Sequence, residues 1–249
     1  MKYFADIVIK PYIIESGYQR LCEIGASMGD NTEKLLEIGP VEIAIIDPCI
    51  DLDLSEKFRN DKRVLVHKGL SLEVLSKIAG PFDCILIDGD HNWYTVYNEL
   101  SLIHTRGLLK KGGTIFFHDV SWPYARRDMY YQPEQIPPEF VQPHAKRGIV
   151  VGQSELASPL EFNGQLFNAV HEGGPKNGVL TAVEDFLNEH KWRYRFFRIN
   201  EEGGLGVLHK TKNLFGSLTF NRYLFRVTRN RVLNKLKSLK NRRGGIVQA

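Results

Sequence analysis

The chain predicts an α/β fold built on a parallel sheet, and three observations predict it. Five short apolar runs, LCEI, VEIAIID, RVLVHK, FDCILID and GGTIFFHD, alternate with helix-length segments, and each ends in polar residues. The first run opens into a glycine-punctuated turn, CEIGASMGDNT at residues 22–32, where glycine lets the backbone bend tightly against a ligand. The second run ends at Asp47, close to the ~20-residue offset at which an acid follows such a turn in nucleotide-binding α/β folds. Strands alternating with helices imply a parallel sheet covered by helices, with ligands bound outside the carboxyl ends of its strands.

Each element has its own justification. MKYFADIVIKPYIIESGYQR reads as a helix leading into the first strand; it lacks the continuous apolar core and small-residue cleavage site of a secretory signal. The first strand delivers Glu23, Gly25, Ser27 and Gly29 to the turn, and Asn31 and Thr32 open the helical run EKLLEIG. The spacing is E-x-G-x-x-x-G. A dinucleotide fingerprint needs G-x-G-x-x-G and a phosphate loop needs G-x-x-x-x-G-K-[ST], so a pyrophosphate ligand is disfavoured. The third strand turns at Leu70-Ser71, the fourth ends in Asp88-Gly89-Asp90-His91, and the fifth ends in His118-Asp119. Any of Asp47, Asp88 or Asp119 alone would read equally well as a helix cap or turn residue; together they line one sheet edge. Residues 121–178 form an insert in which prolines 123, 133, 137, 138 and 143 exclude a long helix. A segment of that length reads as a substrate lid or a dimerisation arm, and Trp122, Tyr124, Arg126, Arg127, Tyr130 and Tyr131 suit it to a polar, ring-shaped substrate. GVLTAVEDFLNEH is a helix, and WRYRFFRI with GLGVLHK reads as a terminal hairpin.

On the E-x-G-x-x-x-G turn and the ordered strand ends, the chain over residues 15–210 resembles the class I S-adenosylmethionine-dependent methyltransferases. The resemblance implies a Rossmann-like seven-stranded sheet, five parallel strands plus the terminal antiparallel hairpin, with flanking helices. It gives the cofactor to Glu23, Gly25, Ser27, Gly29, Thr32, Asp47, Ser71 and Asp88, with Asp47 on the ribose and the Leu70-Ser71 turn beside the adenine. Asp88-Gly89-Asp90-His91 and His118-Asp119 resemble the sites of metal-dependent O-methyltransferases, including those acting on sugars in bacterial polysaccharide and antibiotic pathways. Carried over, the ligands of a divalent metal, magnesium or manganese, are Asp88, His118 and Asp119. Position 118 departs from the usual acid. Imidazole suits manganese, iron or zinc better than magnesium, so either the metal differs or His118 is a base. The catalytic candidates are His91, His118 and Asp88, with His91 or His118 as general base.

The implied activity is O-methylation of a sugar or glycan-like acceptor. An NAD-linked oxidoreductase and a catalytically silent S-adenosylmethionine-binding domain stay open as alternatives. At 249 residues, 43% hydrophobic and 25% charged, the composition is that of a globular domain of 1–211 with an appendage. Cys22, Cys49 and Cys84, an odd number without C-x-x-C spacing, are expected as reduced thiols in a cytoplasm. Charge is uneven: eleven of the cations and no Asp or Glu fall from Gly203 onward, which leaves the preceding residues acidic. Residues 212–249 read as a basic amphipathic tail, with Leu214, Phe215, Leu218, Leu224, Phe225, Val232, Leu233, Leu236 and Leu239 among the cations. That pattern suits packing on the chain's own domain, homo-oligomer formation, or peripheral contact with an anionic membrane; nucleic acid is not expected.

Overall fold

A computed structural model of the chain describes residues 1–49 and 52–211. The basic tail at 212–249, with every expectation placed on it, lies outside the described residues.

Seven strands form one sheet: β1 (Arg20–Ile24), β2 (Glu42–Asp47), β3 (Val64–Lys68), β4 (Phe82–Ile87), β5 (Leu109–His118), β9 (Tyr194–Ile199) and β10 (Leu205–Lys210), in the order β3-β2-β1-β4-β5-β10-β9. The first five pair in parallel, and β10 pairs antiparallel with both β5 and β9. The five parallel strands and the closing hairpin are thus where the sequence expected them. β5 starts at Leu109, earlier than the GGTIFF run suggested. β1, β2 and β4 are buried almost end to end, as expected for strands covered on both faces, and edge strand β3 is not.

One face is covered by α6 (Trp93–Thr105) and α7 (Val179–Glu189), which press Val96, Leu100, Ile103, Leu180, Val183 and Phe186 into a core with Ile85, Ile115 and Phe117. The N-terminal segment is continuously helical: α1 (Lys2–Phe4), a π-turn (Ala5–Ile9) and α2 (Lys10–Ser16), stopped by Gly17 in the left-handed conformation. Phe4, Ile9, Tyr12 and Ile13 are fully buried, and the Tyr12 ring meets Phe116 edge-on at 5.6 Å. Lys2–Asp30, Lys10–Glu37 and Lys34–Asp6 ion pairs tie this helix to α3 (Asp30–Leu36) and the residue that follows it. The remaining helices, α4 (Leu54–Lys57) and α5 (Ser71–Leu75), are short. No helix among the described residues is long and apolar enough to cross a membrane. Cys22, Cys49 and Cys84 are buried and unpaired by disulfides.

The insert contains more order than a lid of loops. β6 (Met129–Tyr130), β7 (His144–Lys146) and β8 (Phe167–Ala169) make a small antiparallel sheet in the order β6-β8-β7. Arg126 and Arg127 are engaged within the protein, which corrects their assignment to substrate. Arg126 pairs with Glu184 on α7, and Arg127, 1% exposed, donates to the carbonyls of Ala169 and Ser154. Tyr130 is likewise buried, its hydroxyl donating to Asp128 at 2.8 Å. Bonds within the insert and to α7 thus consume Arg126, Arg127 and Tyr130, three of the groups that composition alone offered to a ligand.

The sheet order reverses between β1 and β4: β2 and β3 lie to one side of β1 and β4, β5 and the hairpin to the other. Crevices at such reversals bind ligands in open α/β sheets.

Candidate active site

At that reversal the turns after β1 and β4 touch. Gly25 has φ +80°, and a Cβ there would lie 2.3 Å from Gly89 Cα, so neither turn has room for a side chain at Gly25. Gly29, also at φ +80°, caps α3 without a side-chain partner. The acid before the turn is internal: Glu23, 2% exposed, accepts from Asn31 at 2.7 Å and Thr32 at 2.5 Å. Burial pushes its carboxyl up to about 7, against those two hydrogen bonds. Asp47 accepts three backbone N–H bonds, from Ala26 at 2.8 Å, Ser27 at 2.9 Å and Cys49 at 2.6 Å. It braces the glycine turn, with Ser27 held at φ +48°. Each carboxylate oxygen carries two lone pairs, so one acceptor position remains on Oδ1.

A cleft of about 980 Å³ opens over these strand ends. Of the sequence-derived site residues, Glu23, Gly25, Ser27, Asp88, His91, His118 and Asp119 line it; Gly29, Thr32, Asp47 and Ser71 do not. Thr32 acts on Glu23. Ser71, at the start of α5, faces the fully buried Glu99 of α6. Neither Glu99 oxygen has a hydrogen-bond partner at normal distance among the described residues, and burial lifts the carboxyl to about 8. Its proton is held in the folded state and released on unfolding across the range from ordinary carboxylate values to about 8. The stability it contributes is therefore fully present below the unfolded value and lost as pH rises through about 8. Glu99→Gln should flatten the fall of melting temperature between about pH 5 and about pH 9. A variant with the wild-type pH dependence would show that Glu99 is not the group responsible.

The ends of β4 and β5 bring four groups together. Asp119 Oδ2 lies 2.8 Å from His91 Nδ1 and 3.0 Å from His118 Nδ1, so one carboxylate orients both imidazoles. Asp119 sits at φ +59°, a left-handed conformation that Asp and Asn tolerate best after glycine. His118 Nδ1 is also 3.3 Å from Asp88, and its Nε2 is 3.1 Å from the carbonyl oxygen of Glu202 in the β9–β10 turn. Every partner of His118 is an acceptor, so both ring nitrogens carry protons. Burial would lower its pKa, but the bonds to Asp119 and Asp88 outweigh this and raise it to about 10. Asp119, despite burial, is held well below the usual carboxylate range by His91 and His118, and Asp88 is lowered in the same way by His118. His91 is raised: burial opposes, and the Asp119 charge and hydrogen bond prevail. Its ring stacks on Tyr124 at 5.6 Å, and its Nε2 has no hydrogen-bond partner among the described residues. The amino nitrogen of Met1 completes the set, 2.8 Å from Asp88 Oδ2.

Donor atoms of Asp88, His118 and Asp119 all lie within 4.8 Å of one another. Two carboxylates and an imidazole in that cluster fit a divalent cation of the manganese, iron or zinc type, which would take the place of the proton on His118 Nδ1.

Sequence reading missed the far wall. Phe162 is 52% exposed and meets Trp122 at 5.6 Å, while Asn163, at φ +55°, donates to the Tyr124 hydroxyl at 2.6 Å. Phe162 and Asn163 carry no motif and enter the site only because the insert folds back. Asn200, Glu202 and Gly203 enter through the hairpin turn. Lys2 is the sole Lys or Arg lining the cleft among the described residues, and Asp30 pairs with it.

Residues 22–120 match a protein-family model described as a methyltransferase domain. Among solved structures, the chain is similar to a Staphylococcus aureus protein described as a "putative caffeoyl-CoA O-methyltransferase" (14% identity, 84% of this chain and 83% of that one, TM-score 0.50). It is also similar to the N-methyltransferase NodS from Bradyrhizobium japonicum WM9 (11% identity, 84% and 95%, TM-score 0.50). An O-methyltransferase from Bacillus cereus, solved in complex with SAH, gives 15% identity over 81% and 78% at a TM-score of 0.48. At these identities the likeness is one of fold. No curated protein matches the chain in sequence.

Proposed function

We propose that this chain is an S-adenosylmethionine-dependent methyltransferase, a reading its methyltransferase-domain match and its fold support, and that it methylates a hydroxyl of a neutral, sugar- or glycan-like acceptor with His91 as general base. The observation that carries this reading is the Asp119–His91 pair at the cleft floor, beside a His118 whose two nitrogens are already engaged.

In the reaction, an acceptor oxygen attacks the sulfonium methyl carbon in line, forming a C–O bond as the C–S bond breaks. The electron pair of that bond returns to sulfur and leaves S-adenosylhomocysteine. The hydroxyl proton passes to His91 Nε2, and Asp119 stabilises the imidazolium that forms. Asp88, Asp119 and the protonated His118 fix the charge balance beside His91. A divalent cation held by Asp88, His118 and Asp119 would supply a charge that lowers the acceptor hydroxyl pKa.

The acceptor class rests on charge and on aromatic surface. Glu23, Asp30, Asp88, Asp119 and Glu202 line the cleft, and its cations, Lys2, the protonated His118 and the Met1 amino group, are each already paired with one of these acids, which disfavours phosphorylated or carboxylated acceptors. Trp122, Tyr124, Tyr131 and Phe162 offer ring faces to an uncharged acceptor. The proposed setting is cytoplasmic. The 212–249 tail is assigned to homo-oligomer assembly or to peripheral contact with an anionic membrane.

The test is ligand stabilisation followed by turnover. S-adenosylhomocysteine at about 100 times its dissociation constant should stabilise the fold by about 2.7 kcal/mol through mass action, and NAD should not. Wild-type enzyme should then release S-adenosylhomocysteine faster with neutral methyl glycosides than with sugar phosphates. EDTA followed by added manganese reads the contribution of a cation. Stabilisation by NAD in place of S-adenosylhomocysteine would overturn the assignment, and cofactor binding with no turnover on any acceptor would favour a silent binding domain.

A further inference from the structure

Behind His91 lies a carboxylate that the chemistry above does not use. Asp128, at the start of the small sheet and 0% exposed, accepts at Oδ1 from the backbone N–H of Trp93 at 2.7 Å and of Gly178 at 2.6 Å. Its Oδ2 accepts from the Tyr130 hydroxyl at 2.8 Å. The Asp128 N–H donates to Asn177 at 2.6 Å, and the next residue, Met129, donates its N–H to the His91 carbonyl at 3.0 Å. Two successive residues of the insert therefore grip the two ends of the His91–Trp93 segment. Asn92 between them caps α6 through the Thr95 N–H at 2.8 Å.

The arrangement has consequences for the base. The ring of His91 is aimed by Asp119, but its backbone is not part of a strand or helix, since β4 ends at Ile87 and α6 begins at Trp93. What holds that segment against the insert is the bridge to Met129 and the bond from Trp93 to Asp128. The same carboxylate oxygen receives the Gly178 N–H that starts α7, where a Cβ at Gly178 would meet Ala125 O at 2.5 Å. One oxygen thus pins the base-bearing segment, the start of α7 and the root of the aromatic wall to a common point.

We propose that Asp128 is a positioning residue, which sets the reach of His91 toward the acceptor through the Trp93 amide and the adjoining Met129–His91 bridge. This rests on the proposed role of His91. Asparagine at 128 keeps a carbonyl oxygen able to accept from both Trp93 and Gly178, whereas alanine keeps neither bond.

The experiment compares wild type, Asp128→Ala and Asp128→Asn, with methyl glycosides of neutral hexoses as probe acceptors. Asp128→Ala is expected to lower kcat by about 10–100-fold, the scale of a misplaced catalytic group, with cofactor affinity near wild type. Asp128→Asn should recover most of that loss. Independently of turnover, the His91 Nδ1–H resonance, identified by its loss in His91→Asn, should persist in Asp128→Asn and vanish or move in Asp128→Ala. If Asp128→Ala does not fold, Asp128→Glu, which displaces the oxygen by one methylene, should show the same loss. An alanine (or, failing that, glutamate) variant with unchanged kcat and unchanged His91 resonance overturns the inference, as does an asparagine variant no better than the alanine one. If wild type methylates no probe, the proposed function has failed, and the His91 resonance still decides whether Asp128 positions the ring.

Discussion

Replacing Asp119 with asparagine should reduce methyl transfer by about 10²–10⁴-fold while leaving S-adenosylhomocysteine affinity near that of wild type. Asparagine is chosen because the residue sits at φ +59°, and asparagine holds that conformation as readily as aspartate does. The backbone at the end of β5 is then unchanged, and only charge and acceptor capacity are removed. The carboxylate Oδ2 serves His91 at 2.8 Å and His118 at 3.0 Å, so its loss acts on both imidazoles at once. His91 loses the partner that keeps its Nδ1 protonated and its Nε2 available as base. His118 loses one of the two acids that raise it to about 10, and Asp88 must then hold it alone. Single-turnover methyl transfer, with cofactor binding measured by calorimetry on the same preparation, separates the two effects. A rate within a few-fold of wild type would remove the Asp119–His91 pair from the chemistry.

The second large effect is expected at Gly25. An alanine there places Cβ 2.3 Å from Gly89 Cα and 2.5 Å from both Asp88 O and Gly89 N, and it imposes φ +80° on a residue with a side chain. The obstacles are backbone, at the point where β1 and β4 diverge, so relief requires moving the cofactor turn or the turn that carries Asp88. Gly25→Ala should abolish measurable S-adenosylhomocysteine stabilisation and lower stability by on the order of 3 kcal/mol. Gly39→Ala is the control: φ is +70° but nothing lies within 4 Å of the added Cβ. It should cost about 1–2 kcal/mol from backbone strain alone and leave cofactor binding intact. If the two variants bind cofactor equally well, the close approach of the turns is not what shapes the site.

The apolar runs, their polar ends and the closing hairpin determined the five parallel strands and the antiparallel pair. These features are local: β1, β2 and β4 are continuous buried runs, and Gly25 stands where only glycine fits. The convergence of Asp88, His91, His118 and Asp119 was legible too, because parallel strands with helical crossovers bring all their carboxyl ends to one edge. What each of those groups binds was not legible. Whether Asp47 faces a ligand or the amides of Ala26, Ser27 and Cys49 depends on the curl of a turn, and composition does not record it. Arg126, Arg127 and Tyr130 had the chemistry of ligand-binding residues, yet the insert folds so that Glu184, two backbone carbonyls and Asp128 claim them.

Phe162, Asn163 and the Glu202 carbonyl were invisible for the converse reason, since they reach the cleft through loop closure across long stretches of chain. Strand-end chemistry is determined by sequence alone, because side-chain periodicity and chain direction dictate it. The pairing of polar groups is decided only in the tertiary structure, where burial makes an unmet hydrogen bond costly and each donor takes the nearest acceptor the fold provides.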